Sequence, residues 1–185
     1  MNQKRDGSEP AAVSRLAEAE IPADVTHQLQ ALLQTCFPEY PSRSYFKLPP
    51  HFRYLATAGG ELVGQLGVEL RMIRIGRDVL RTFGVGDLCV RESERSCGLA
   101  GRLLADLTEL ARSCGMDFII LFADDDRLYT RHGWARVANP CTWLKIHEHA
   151  TLGLATAEDT GALMVKQIGP RAWPEGEVDL LGHVF

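Results

Sequence analysis

The chain has 185 residues, 45% hydrophobic and 24% charged, and its 20 basic and 24 acidic side chains leave a formal net charge of −4. That length and composition suit one globular domain over residues 11–185 behind a flexible tail over 1–10, and exclude a disordered or fibrous chain. The acidic balance argues against a general nucleic-acid binder, which needs a basic excess to neutralise phosphates.

The charge is unevenly spread. Residues 71–112 hold 8 basic against 6 acidic groups, and residues 145–185 hold 3 against 6. The five cysteines, Cys36, Cys89, Cys97, Cys114 and Cys141, include no C-x-x-C pair, which is cytosolic usage and offers no zinc site. Met1 to Pro10 lacks an apolar run, so no export signal and no membrane partner are expected, and the location is read as cytoplasmic. His147 and His149 fit a surface pair better than a metal site.

Leu29, Leu32, Leu33 and Phe37 recur at helical spacing, with Asp24 as a cap and Pro38 as the stop. A proline-bearing loop follows through Pro41, Pro49 and Pro50. Phe52 to Ala58, the turn Gly59-Gly60, a run from Glu61 to Met72, the turn Gly76-Arg77-Asp78 and a run to Val90 predict three strands in an antiparallel meander. Gly84 and Gly86 mark a bulge. Leu99, Leu103, Leu104, Leu107 and Leu110 share one helix face that Gly115 can end. Phe118 to Ala123 reads as a buried strand, parallel to Val85–Val90 across the helix. Asp124 to Asp126 can cap a short helix through His132, followed by a strand from Trp134. The last forty residues read as further strands and loops, with turns at Thr156–Asp159 and Trp173–Gly176.

Between the strand that ends at Val90 and the amphipathic helix stands Arg95-Ser96-Cys97-Gly98-Leu99-Ala100-Gly101. Its small residues let backbone N–H groups approach a ligand, and the helix dipole favours an anion there, so a pyrophosphate fits. A tight turn that merely needs Gly98 is the plain alternative. Arg95, Gly98 and Ala100 match the pattern [RQ]-x-x-G-x-[GA], and Tyr129 stands four residues before Gly133-Trp134. On these two motifs the chain resembles the GCN5-related N-acetyltransferase (GNAT) superfamily. The tail pieces Glu158-Asp159-Thr160-Gly161 and Trp173-Pro174-Glu175-Gly176-Glu177 are similar to aminoglycoside 2'-N-acetyltransferases and nodulation-factor N-acyltransferases.

The resemblance implies an α+β fold, an α/β/α sandwich with a mixed, mostly antiparallel sheet, a splayed parallel strand pair and helices on both faces. It implies acetyl-CoA as cofactor, its pantetheine arm along Leu88, Cys89 and Val90 and its pyrophosphate on Arg95, Ser96, Cys97, Gly98, Leu99, Ala100 and Gly101. It also implies direct transfer to the primary amine of a small cationic molecule, an amino sugar being one such acceptor. Tyr129 would be the acid for the departing thiolate, a phenol near pKa 10 facing a thiol near 8.5. The base is open among Asp87, Asp159 and Glu177; Asp87 carries the assignment, although strand alternation turns it to the wrong face unless a bulge intervenes. Asp159, Trp173 and Glu177 are expected to line the acceptor pocket. Cys89 and Cys97 read as packing residues rather than nucleophiles. A peptide N-acetyltransferase and a non-catalytic CoA-binding module are the competing readings, and a homodimer is allowed for.

Overall fold

The computed structural model describes residues 10–185; residues 1–9 of the expected tail lie outside the described residues. In chain order the elements are β1 (Ala12–Ala17), α1 (Ala23–Cys36), β2 (Phe52–Ala58), β3 (Glu61–Ile75), β4 (Asp78–Val90), α2 (Leu99–Ser113), β5 (Phe118–Phe122), α3 (Arg127–Arg131), β6 (Ala135–Arg136), β7 (Cys141–His147), β8 (Ala150–Ala157), β9 (Leu163–Gln167) and β10 (Val178–Asp179). The strands form one mixed sheet in the order β6-β9-β5-β4-β3-β10-β7-β8, with β2 and then β1 branching from β3. The fold is α+β, and helices cover both faces as the resemblance implies.

The meander is β2–β4, antiparallel throughout, and β4 and β5 are parallel across α2. α2 owes its place to one apolar stripe: Leu103, Leu104, Leu107 and Ala111 are buried against Tyr54, Leu66, Val68, Phe83 and Val85. Each fully buried leucine there contributes about 1.5–3 kcal/mol. On the opposite face α1 buries Leu29, Leu32 and Leu33 against Leu55, Leu62 and Cys89. Helix α1 starts one residue before the expected cap: Pro22 holds the N-cap position and Asp24 lies in the first turn, where the helix dipole favours it.

Strand β1 is not legible in its own residues, AVSRLA, which neither alternate nor favour extended structure. It forms because β2 offers a free edge, pairing from Ala12 with Thr57 to Ala17 with Phe52. Strand β8 runs to Ala157, so the expected turn at Thr156 starts two residues later, at Glu158.

The bulge in β4 lies later than Gly84 and Gly86. Gly67 pairs with Gly86 and Gln65 with Cys89, so Asp87 and Leu88 together stand opposite Leu66. Asp87 takes φ 55°, the left-handed region that non-glycine residues seldom occupy. Gly84 serves packing instead, since a Cβ there would run into the Phe185 ring.

Candidate active site

β4 and β5 pair from Thr82 with Phe118 to Val85 with Leu121 and no farther. Beyond that point Gly86–Val90 keeps its β3 ladder on one side and, among the described residues, has no strand partner on the other. The chain then turns through Ser96 at φ 65° and Gly98 at φ 79° into α2. Gly98 is the N-cap, and among the described residues no side chain caps the helix, so first-turn amides have no side-chain acceptor there. A cavity of about 290 Å³ opens there, lined by Val90, Arg95, Ser96, Gly98, Ala100 and His132 among others.

These residues fit the diphosphate that the resemblance implies. A Cβ at Gly98 would meet nothing within 4 Å, so the loop surface is open to a ligand, whereas one at Gly101 would stand 2.6 Å from the His132 ring and Gly101 serves helix packing. Arg95 spends Nε on the Val90 carbonyl at 3.1 Å. Cys89 and Leu99 are both buried, at 7% exposure, and turn their side chains into the core, so only their main chains can meet a cofactor. Burial, with Cys36 beside it, pushes the Cys89 thiol well up, which removes it as a thiolate nucleophile near neutral pH. Cys97 is exposed, and its Sγ reaches the Arg95 carbonyl at 3.6 Å.

On the far side of the same strand the bulge turns Asp87 toward the loop between α1 and β2. The Tyr40 hydroxyl donates to Asp87 Oδ2 at 2.5 Å. Burial raises the Asp87 carboxyl above the ordinary carboxylate range, and the Tyr40 hydrogen bond and the nearby Arg53 and Lys47 charges pull it back. Gln65 Nε2 donates to the Asp87 carbonyl, fixing the bulge. Arg53, with 0% exposure, ties the surroundings together. It binds Glu18 through Nε at 2.6 Å, Gln65 through Nη1 at 3.0 Å and the Ser44 carbonyl through Nη2 at 2.7 Å.

Asp87 borders two cavities. One, about 90 Å³, is lined by Lys47, Glu69, His183 and Phe185 among others. The other, about 520 Å³, is lined by Phe37, Pro38, Glu39, Tyr40 and Phe46. Glu69, Arg71 and His183 form a buried cluster beside the first: Arg71 donates to Glu69 and to the His183 carbonyl, and His183 Nε2 lies 3.2 Å from Glu69. The Glu69 carboxyl sits below its ordinary range, burial being outweighed by His183 and Arg71.

Tyr129 lies on α3, half-buried, with its ring 5.7 Å from that of Trp134. Its carbonyl accepts from the amides of His132 at 2.8 Å and Trp134 at 3.1 Å, which anchors the end of the short helix. Burial, and then the Asp125 charge, raise the phenol. It is a protonated donor at neutral pH.

The three residues expected to line the acceptor pocket stand apart from one another and from Asp87. Trp173 stacks edge to face on Phe118 at 5.0 Å and bonds Asn139 at 2.8 Å. Phe118 pairs with Thr82, five residues before Asp87, which places Trp173's packing partner roughly 17 Å along the strand from the bulge. Exposed Glu177 accepts from Thr142. Its neighbour Val178 pairs with Ile75 at the far end of the β3–β4 hairpin. Exposed Asp159 accepts from the Gly161 amide at 2.7 Å and so holds its own loop. None of the three lines a cavity beside Asp87.

Residues the sequence reading missed are Tyr40, Lys47, Arg53, Gln65, Glu69 and His183. A faint signal existed: Gln65, Gly67, Glu69 and Arg71 alternate with apolar residues, but that pattern also describes a solvent-facing strand. Among the described residues no group of His, Cys, Asp and Glu could hold a metal ion, and His149 instead lies 3.3 Å from the Tyr45 hydroxyl. Among the described residues no helix is long and apolar enough to cross a membrane.

The family model for the acetyltransferase (GNAT) domain matches residues 15–137. Comparison with curated proteins gives no match. Among solved structures the fold is similar to a GNAT family N-acetyltransferase, YhbS, from Escherichia coli in complex with CoA, with TM-score 0.62, 20% identity, and coverage of 96% of this chain and 93% of that one. It is also similar to a GNAT family acetyltransferase from Brucella melitensis in complex with acetyl-CoA, with TM-score 0.58, 16% identity and coverage of 90% and 94%. Against Eis1 from Mycobacterium abscessus the TM-score is 0.60 at 15% identity, over 71% of this chain and only 33% of that one. At these identities the likenesses establish the fold.

Proposed function

Because the chain belongs to the GNAT acetyltransferase family, we propose that it transfers the acetyl group of acetyl-CoA to the amine of a small cationic acceptor bound at the same time. One observation carries the reading: among the described residues the stretch Gly86–Val90, open on the β5 side, lies between a helix N-terminus without a side-chain cap and the partly buried carboxylate of Asp87. Acetyl-CoA supplies the activated thioester. The main chain of Leu88–Val90 offers a strand edge to the pantetheine arm, and the amides from Ser96 to Gly101, with Arg95, receive the pyrophosphate.

Asp87 is the base. It takes one proton from the acceptor's ammonium and leaves the nitrogen lone pair free to attack the thioester carbonyl. The raised carboxyl makes that transfer easier than an ordinary aspartate would, because a base works best when its pKa approaches the working pH. A backbone N–H at Leu88 or Cys89 faces the carbonyl oxygen as charge builds there. Tyr129 donates its phenolic proton to the departing thiolate. The tail's likeness to aminoglycoside 2'-N-acetyltransferases rests on residues that the fold places away from Asp87, so the acceptor is argued from the cavities beside that carboxylate instead.

Thiol release from acetyl-CoA with a panel of amines tests the activity. Tyr129→Phe is expected to lower kcat about 10²-fold or more while leaving the Kd for CoA in place. An unchanged kcat would remove Tyr129 as the acid. CoA binding without thiol release for any amine would overturn the transferase reading in favour of a binding module.

A further inference from the structure

The family assignment leaves the acceptor open, and the two cavities that meet at Asp87 have unlike chemistry. The smaller, about 90 Å³, has room for roughly three waters. Lys47 reaches into its wall, donating to the Val184 carbonyl at 3.1 Å, and His183 stands beside it. The nearby Arg71 lies 4.8 Å from the centre of the Phe185 ring. A second ammonium group entering this side would face Lys47 and Arg71, and the one further carboxylate of the lining, Glu69, is already engaged by Arg71 and His183.

The larger cavity, about 520 Å³, lies within the range of small-molecule sites. Its wall is aromatic. The Phe37 and Tyr40 rings stand 5.9 Å apart, Tyr40 and Phe46 meet edge to face at 5.6 Å, and Phe46 is 46% exposed although large and apolar. Its carboxylates are Asp87 at the floor and Glu39 at the exposed rim. Tyr40 joins the two properties in one residue, because its ring forms the wall and its hydroxyl holds the carboxylate.

Resting on the transferase reading above, we propose that the acceptor is a monoamine carried on a flat apolar body, an arylalkylamine rather than a polycationic amino sugar or polyamine. The aryl group lies against Phe37, Tyr40 and Phe46, and the amine meets Asp87. One partly buried carboxylate, Asp87, neutralises one ammonium. A polycation would have to place its remaining charges beside Lys47, where Glu69 is already held by Arg71 and His183, or at the rim, where Glu39 is screened by solvent.

Initial rates of thiol release with acetyl-CoA should be compared for tryptamine, phenethylamine, n-propylamine, spermidine and kanamycin. The expected kcat/KM for the two aryl amines exceeds that for each of the others at least tenfold. Phe46→Ala is expected to cut the preference for tryptamine over n-propylamine to less than threefold, with the change carried mainly by KM. Retention of the aryl preference in that variant overturns the assigned wall. Better turnover of kanamycin or spermidine than of tryptamine overturns the acceptor class while leaving the transferase reading standing. Absence of thiol release with every amine, from protein shown by titration to bind CoA, overturns both.

Discussion

Arg53→Met removes the group that ties the acceptor loop to the bulge. The guanidinium has 0% exposure and makes hydrogen bonds to the Glu18 carboxylate, the Gln65 amide oxygen and the Ser44 carbonyl. Removing one member of a buried ion pair costs about 3–5 kcal/mol. Glu18 keeps 20% exposure and can recover some hydration, which argues for the lower end, about 3 kcal/mol. For a domain of this size that is a fall in Tm of about 6–12 °C. Denaturant unfolding should show a lower midpoint at unchanged slope. The loop at Ser44 and the bulge at Asp87 lose their common anchor, so kcat/KM for the amine should fall with stability, while the turn from Arg95 to Gly101, to which Arg53 makes no bond, should keep the affinity for CoA. A loss under 1 kcal/mol, or a parallel loss of CoA affinity, would refute the claim that this arginine organises the acceptor side alone. Arg53→Lys separates charge from geometry, since an ammonium cannot make the forked contacts.

Two further outcomes follow from the same geometry. Because burial raises the Asp87 carboxyl in the folded chain, the native state holds that proton to higher pH than the unfolded chain does, so stability is lost as pH rises from the ordinary carboxylate range through the folded value. Asp87→Asn should therefore raise Tm at neutral pH, with the gain shrinking in acid, while lowering kcat by about 10²–10⁴ and abolishing the acid limb of the rate profile; a lower Tm at pH 7 would contradict this. Gly98→Ala places a Cβ at φ 79° with open space around it, so backbone strain of about 1 kcal/mol, and not collision, should appear in unfolding, together with weaker CoA binding; an unchanged Kd would remove the loop from the cofactor site.

The fold was largely readable from periodicity. The stripe Leu99–Leu110, the apolar run from Phe118 and the turns at Gly59 and Gly76 each impose one local structure, and their order leaves few topologies. The turn into α2 was readable too, because Gly98 takes the positive φ that such a turn requires. The acceptor side was not. Arg53, Gln65, Glu69 and Asp87 are charged or polar residues in strands, and alternation alone cannot distinguish a polar trough covered by a loop from a face turned to water. What covers the trough is remote in sequence: Tyr40 is 47 residues from Asp87, and His183 is 114 from Glu69. The charge of the last forty residues places no acid for a related reason, since net charge reports composition and not where the acids point.

The extra residue in β4 acts as a change of reading frame for the side chains. Up to Gly86 the odd and even positions of the strand are assigned to fixed faces, and after Leu88 the assignment resumes displaced by one. A chain lacking that residue would keep a continuous ladder and the same hydrophobic core on either side, yet have no carboxylate beside Tyr40. The carboxylate we propose as the base can thus be gained or lost by a single-codon insertion or deletion, and position-by-position comparison of strands in such proteins should be anchored separately on each side of the bulge.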